Sequence, residues 1–217
     1  MERIICLAIG YVCGLFQTSY IYGKAKGIDI RQHGSGNAGT TNALRTLGMK
    51  AGMITLLGDC VKCIVAVLLV GAIFGESCAP YLKLLQMYAA AGTILGHNFP
   101  FYMNFKGGKG IAATAGLLLS FSLRLSAIAL VLFLIILFTV HYVSLGSMVV
   151  YVVFMIGTIV LGQSGYFGMN QAHLNELYVV AALLTVMAIY RHRANIVRLI
   201  NGTERKTYLT SKHKEKA

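Results

Sequence analysis

The sequence predicts an all-α, polytopic integral membrane protein of about seven transmembrane helices, with the N-terminus outside and the C-terminus inside. Three observations carry that expectation. The 217 residues are 57% hydrophobic and only 12% charged. A soluble domain carries roughly a quarter charged residues, and one this apolar would expose large sticky patches. The apolar residues gather into separate stretches near membrane length, about 20 residues each. The formal net charge of +12 forms no single basic domain. Its cations flank the apolar stretches, which is the pattern of cytoplasmic loops and not of a nucleic-acid surface.

The elements follow in chain order. The first span is Ile4–Tyr22. Arg3 ahead of an apolar run imitates a signal peptide, but no clear small-residue cleavage site follows, so the span is expected to stay uncleaved. The second, Ala51–Phe74, contains Asp59 and Lys62. Charges inside a membrane are costly, and a spacing of three lets these two pair on one helix face. The third span is Tyr81–Gly96. The fourth, Ile111–Phe121, is too short to cross alone and reads as a half-helix shielded by its neighbours. The fifth and sixth, Leu125–Tyr142 and Val143–Leu161, run together, with Ser144, Gly146 and Ser147 as the expected turn. The seventh is Leu174–Tyr190. A basic tail begins at about residue 191 and is expected to attract anionic lipid headgroups. One domain covers residues 1–217.

Parity tests the count. Seven crossings place residues 23–50, 97–110, 141–147 and 191–217 on one side. Of the 19 Lys and Arg residues, only Arg3, Lys83 and Arg124 then fall on the other side, and Lys62 lies within a span. That asymmetry orients the basic side to the cytoplasm. Folding the fourth span into a loop would send the most basic segment outside.

Three polar segments share that side. In Gly34-Ser35-Gly36-Asn37-Ala38-Gly39-Thr40-Thr41-Asn42-Ala43-Leu44-Arg45 the glycines permit a tight turn that turns backbone N–H groups toward an anion. Ser35, Thr40 and Thr41 add hydroxyls, Asn37 and Asn42 can donate and accept, and Arg45 can grip a phosphate through two parallel hydrogen bonds. Lys106-Gly107-Gly108-Lys109-Gly110 is not a Walker loop, since no Ser or Thr follows the lysine. It still offers glycines, cations and the positive end of the next helix. In the third segment, a helix continuing past Tyr190 would set His192, Asn195 and Arg198 on one face, with Glu204 just beyond. The five cysteines read as small apolar fillers. Cys60 and Cys63 have Lys62 between them and no second pair to complete a zinc site, so neither metal, cofactor nor disulfide is expected.

Taken together, Gly34–Arg45, Gly96-His97-x-x-Pro100 leading into Phe105–Gly110, and His192-x-x-Asn195-Ile-x-Arg198-Leu-x-x-Gly202-x-Glu204-x-Lys206 resemble the three signature motifs of the bacterial PlsY family. These are integral-membrane acyl-phosphate:glycerol-3-phosphate acyltransferases. The resemblance implies transfer of a fatty acyl group from acyl phosphate to sn-glycerol 3-phosphate, giving lysophosphatidic acid and phosphate at the cytoplasmic face of the bacterial inner membrane. It implies that Ser35, Arg45 and Lys109 bind the glycerol-phosphate headgroup, with Asn37 and Thr41 beside them. Gly107 and Gly108 would let backbone N–H groups approach phosphate. His192, Asn195 and Glu204 would orient substrates or stabilise the oxyanion, and Ser147 would contact substrate. The partners are acyl phosphate, glycerol 3-phosphate and membrane lipids, with no nucleic acid.

An acyl phosphate is already an activated anhydride, so positioning and charge neutralisation carry the reaction. The attacking hydroxyl must still lose a proton. His192 is one candidate base; the bound substrate's phosphate, with a second pKa of about 6, is the favoured one. The competing class is a transporter or receptor for a phosphorylated solute. It would often show internal repeats and charges along a central path, and neither is evident.

Overall fold

The computed structural model describes residues 1–208, which form ten α-helices joined by short connections and three single-turn 3-10 segments, with no strand among them. The tail lysines Lys212, Lys214 and Lys216, counted above toward the basic side, lie outside the described residues. The helices are α1 (Glu2–Gly14), α2 (Thr18–Ala25), α3 (Thr40–Leu47), α4 (Met49–Phe74), α5 (Leu82–Asn98), α6 (Ile111–Phe121), α7 (Leu123–Thr139), α8 (Val143–Gln163), α9 (Gln171–Arg191) and α10 (Arg193–Ile200). Four stretches are long and apolar enough to cross a membrane: Glu2–Ala25, Met49–Phe74, Val143–Gln163 and Gln171–Arg191. Helix α6, with 11 residues, matches its expected bounds. At about 1.5 Å per residue it is near half a bilayer core in length.

The bundle is apolar outside as well as inside. Leu57 and Leu68 on α4, Phe138 on α7, Val160 on α8 and Leu183 and Val186 on α9 are all more than half exposed. A soluble amphipathic helix would place charges on those faces; here they face where lipid would be. The inner faces pack Leu84, Leu117, Tyr151, Phe154 and Leu177 into one core. Since lipid is as apolar as leucine, close backbone approach must help hold such helices together. It does so between α1 and α5. Gly10 and Gly14 face Ala89 and Thr93, and Gly92 and Gly96 face Leu7 and Tyr11, so that a Cβ at any of the four would strike the opposite backbone.

Three expected boundaries differ. The first span breaks at Leu15–Gln17, between α1 and α2. The freed carbonyls of Gly14 and Phe16 accept hydrogen bonds from the Lys62 ammonium at 3.4 and 2.7 Å, and Gln17 Nε2 donates to Gly14, Gly96 and His97 carbonyls. Side chains from α4 and the break itself therefore replace the lost helical bonds. The α7–α8 turn lies at Val140–Tyr142, with His141 at φ 63°, and Ser144, Gly146 and Ser147 are helical. Ser147 Oγ bonds back to the Val143 carbonyl at 2.7 Å, which lets a serine sit inside a helix. The seventh span, expected to end at Tyr190, ends one residue later at Arg191, and the chain does not continue as one helix: His192 ends α9 and caps α10.

Contacts at the two ends give the helices a common direction. At one end Arg3 of α1 pairs with Glu176 of α9, which also accepts from Tyr88 of α5, and Lys83 lies over Phe121 at the end of α6. The ends of α5 and α9, the starts of α6 and α8, and α3 meet at the opposite end around a cavity.

Candidate active site

The cavity has a volume of about 460 Å³ and is lined from all three polar segments. Ser35, Asn37, Thr41, Arg45, Lys109, Ser147, His192, Asn195 and Glu204 all reach its wall. Gly107 and Gly108, expected there, do not.

The first segment is organised by Asn42. Its buried amide donates to the carbonyls of Ile30 and His33 at 3.1 and 3.0 Å, and its Oδ1 accepts the Ser35 N–H at 2.9 Å. That folds the glycine loop over the start of α3, whose first N–H groups have no helical partner. Thr40 Oγ1 is buried beside them without a partner among the described residues. Arg45 stands one turn further on, and its Nη2 donates to the Arg205 carbonyl at 3.0 Å and to Thr207 Oγ1. Thr207 N–H in turn reaches the His141 carbonyl at 2.9 Å. Residues 203–207 thus form a strap along one side of the cavity.

The second segment corrects the sequence expectation. The N–H groups of Gly107 and Gly108 donate to the carbonyls of Asn98 and His97 at 3.2 and 3.0 Å, so they are not available to a phosphate. Glycine is required because the turn lies directly on the end of α5: a Cβ at Gly107 would meet the His97 carbonyl, and one at Gly108 the His97 ring. The turn sets Lys109 into the cavity. Gly110, at φ 81°, then starts α6, whose first N–H groups open toward the same space. Burial pushes the Lys109 ammonium down to about 8, against an upward pull from Glu204.

In the third segment, Lys109 Nζ donates to Asn195 Oδ1. The Asn195 amide donates to Glu204 Oε1 at 2.6 Å, which also accepts from Ser144 at 2.8 Å, while Arg198 Nε binds Oε2 at 2.7 Å. Burial pulls the Glu204 carboxyl up, but these hydrogen bonds outweigh it and the net direction is down. Glu204 is an anionic anchor joining α8, α10 and the strap. The His192 Nδ1 is 2.8 Å from the Ala188 carbonyl, which makes it the protonated nitrogen and leaves Nε2 an acceptor. Burial first, then Lys109, lowers His192 to about 4.

Sequence reasoning missed several wall residues. Arg191 was read only as the start of the basic tail, and Ser144 was assigned to a turn. Asp59 and His97 also reach the wall from below. The Asp59–Lys62 pair forms as expected, at 2.8 Å and buried. Lys62 extends the pair to His97 Nδ1 at 2.9 Å, and Thr18 donates to Asp59 at 3.1 Å. The periodicity of α4 signalled the pair but could not show what lay across the interface.

Residues 4–202 match the family model described as glycerol-3-phosphate acyltransferase. A glycerol-3-phosphate acyltransferase of Alkaliphilus metalliredigens is 40% identical over 207 residues, covering 95% of this chain and 96% of its own. One of Clostridioides difficile is 42% identical over 208 residues, covering 94% of each. Among solved structures, the crystal structure of PlsY, an integral membrane glycerol 3-phosphate acyltransferase, in its glycerol 3-phosphate form superposes with a TM-score of 0.80 at 28% identity, covering 96% of both chains. Its lysophosphatidic acid form superposes with a TM-score of 0.77.

Proposed function

The chain belongs to the glycerol-3-phosphate acyltransferase family, and from that premise we propose that an acyl phosphate is its acyl donor. It is an acyltransferase that converts glycerol 3-phosphate to lysophosphatidic acid. The observation that carries the reading of the site is the convergence of three distant segments on one cationic cavity. Ser35, Thr41, Arg45 and Lys109 bind the phosphate of the acceptor, with the starts of α3 and α6 supplying backbone N–H groups. Asn37 and Ser147 complete the substrate wall. Asn195 and Glu204 hold the Lys109 ammonium and the strap in place. His192 presents Nε2 to the acceptor hydroxyl.

The donor brings its own leaving group, so no separate activation is needed. The hydroxyl oxygen attacks the acyl carbon, the acyl–phosphate bond breaks and inorganic phosphate departs. The proton goes to the acceptor's own phosphate dianion, since a histidine held near 4 is a weak base at neutral pH. One domain of seven crossings, N-terminus out, places this cavity at the cytoplasmic face of the bacterial inner membrane, where water-soluble glycerol 3-phosphate enters. The carrier alternative is set aside by the family.

The test is an assay of purified protein with glycerol 3-phosphate and acyl phosphate, acyl-CoA or acyl carrier protein offered in turn. Lysophosphatidic acid and phosphate should form together, with acyl phosphate only. Turnover with acyl-CoA alone would overturn the donor assignment.

A further inference from the structure

We infer that Arg191 is a positioning residue for Lys109, acting through the peptide groups of Gly107 and Gly108; this rests on the reading of Lys109 as a phosphate-binding residue. The glycine turn is gripped from two sides. From α5, the Asn98 and His97 carbonyls take its two N–H groups. From α9, Arg191 Nη2 donates to the Gly107 and Gly108 carbonyls at 3.3 and 2.6 Å. Every polar group of both residues is thereby used. The guanidinium also lies over the Phe99 ring, 5.1 Å from its centre.

The wall opposite Arg191 is stiff. The His97 ring fills the space beside Gly108, and its Nδ1 is held by Lys62, itself fixed by Asp59 and the Phe16 carbonyl. A turn made of glycines has no side chains with which to anchor itself, so its neighbours set its place. Lys109 follows directly, and its flexible stem reaches Asn195 only from the right Cα position. Arg191 also ends the helix that leads into His192 and Asn195. It therefore ties the position of Lys109 to the residues Lys109 must meet.

Arg191 lines the cavity too, so direct contact with the acceptor is the rival role. A double-mutant cycle separates them, read as Kd for glycerol 3-phosphate on intact protein without any acyl donor. R191M should raise Kd about ten- to a hundredfold, the worth of one misplaced charged hydrogen bond. K109M should raise it at least as far. The double variant should be no worse than K109M within about twofold, because Arg191 then has nothing to position. R191K should recover most of the loss, since a single nitrogen makes both carbonyl bonds, and it serves if R191M does not fold. Full multiplication of the two single losses, or no rescue by R191K, overturns the inference alone. A neutral K109M overturns the reading of Lys109 and the inference with it.

Discussion

At the scale of residues, the proposed site is a set of cations held by neutral and acidic partners. Arg45 uses Nη2 on the strap, which leaves Nε and Nη1 as donors for an incoming phosphate. Arg45→Lys keeps the charge and loses the fork. It should weaken glycerol 3-phosphate binding by about 1.5–3 kcal/mol, the range of a charged hydrogen bond; an unchanged KM and kcat would remove Arg45 from the site. Lys109 gives a pH prediction. With its pKa lowered to about 8, it is charged below that value and loses its charge as pH rises through it. The kcat/KM for glycerol 3-phosphate should therefore fall above pH about 8, while the acid limb follows the substrate's own second ionisation, at about 6. Lys109→Arg should abolish the alkaline limb, because a guanidinium stays charged. An alkaline limb that persists in that variant belongs to another group. His192→Gln should retain measurable turnover, since the amide still orients the hydroxyl; a folded variant that binds substrate normally but does not turn over makes histidine the base. The identity of these polar residues was legible in the sequence, because cations and glycines stand out against an apolar chain. The use of the Gly107 and Gly108 N–H groups was not, because it depends on where α5 ends in space.

At the scale of elements, apolar stretches marked the helices well, and α6 was found residue for residue. Each miss has a physical cause. A break in an apolar helix is hidden when side chains from elsewhere replace the lost bonds, as Lys62 and Gln17 do between α1 and α2. Serines inside α8 imitate a turn because they bond to their own backbone one turn back. The short α3 lies in a polar segment, where hydrophobic periodicity has nothing to read. The α1–α5 contact carries its own prediction. Gly92→Val would push a side chain into the backbone of α1 at Leu7 and Tyr11. Overpacking of this kind costs about 1–3 kcal/mol, so the variant should unfold at a lower temperature in detergent. Gly71→Ala meets only the flexible end of Gln86, at 3.2 Å, and should unfold like the parent. Equal unfolding temperatures for both variants would mean that the interface is looser than the four glycines indicate.

At the scale of the whole molecule, charge asymmetry and geometry bear on the same question from independent directions. The proposed orientation, with the basic segments inside, rests on the loop charges. The fold adds that the ends of α5 and α9 and the starts of α6 and α8 meet at one cavity, while Arg3, Glu176, Tyr88 and Lys83 gather at the far end. The first helix starts at the far end, at Arg3, and α9 finishes at the cavity, at Arg191, which is what an odd number of crossings requires. Helix α6 is the weak member of that count, because it is too short to cross a full bilayer core by itself. Its crossing depends on the Lys109–Gly110 connection below it and on the neighbours that shield it. Single cysteines decide the matter in a background where the five native cysteines are replaced. Positions Lys26, Lys106 and Lys206 should react with a membrane-impermeant thiol reagent only after the cells are opened. A cysteine at Lys83 should react in intact cells. If Lys106 and Lys206 label from opposite sides, α6 does not complete a crossing and the count falls to six. The third segment would then lie across the membrane from the first two, which a single shared cavity cannot accommodate.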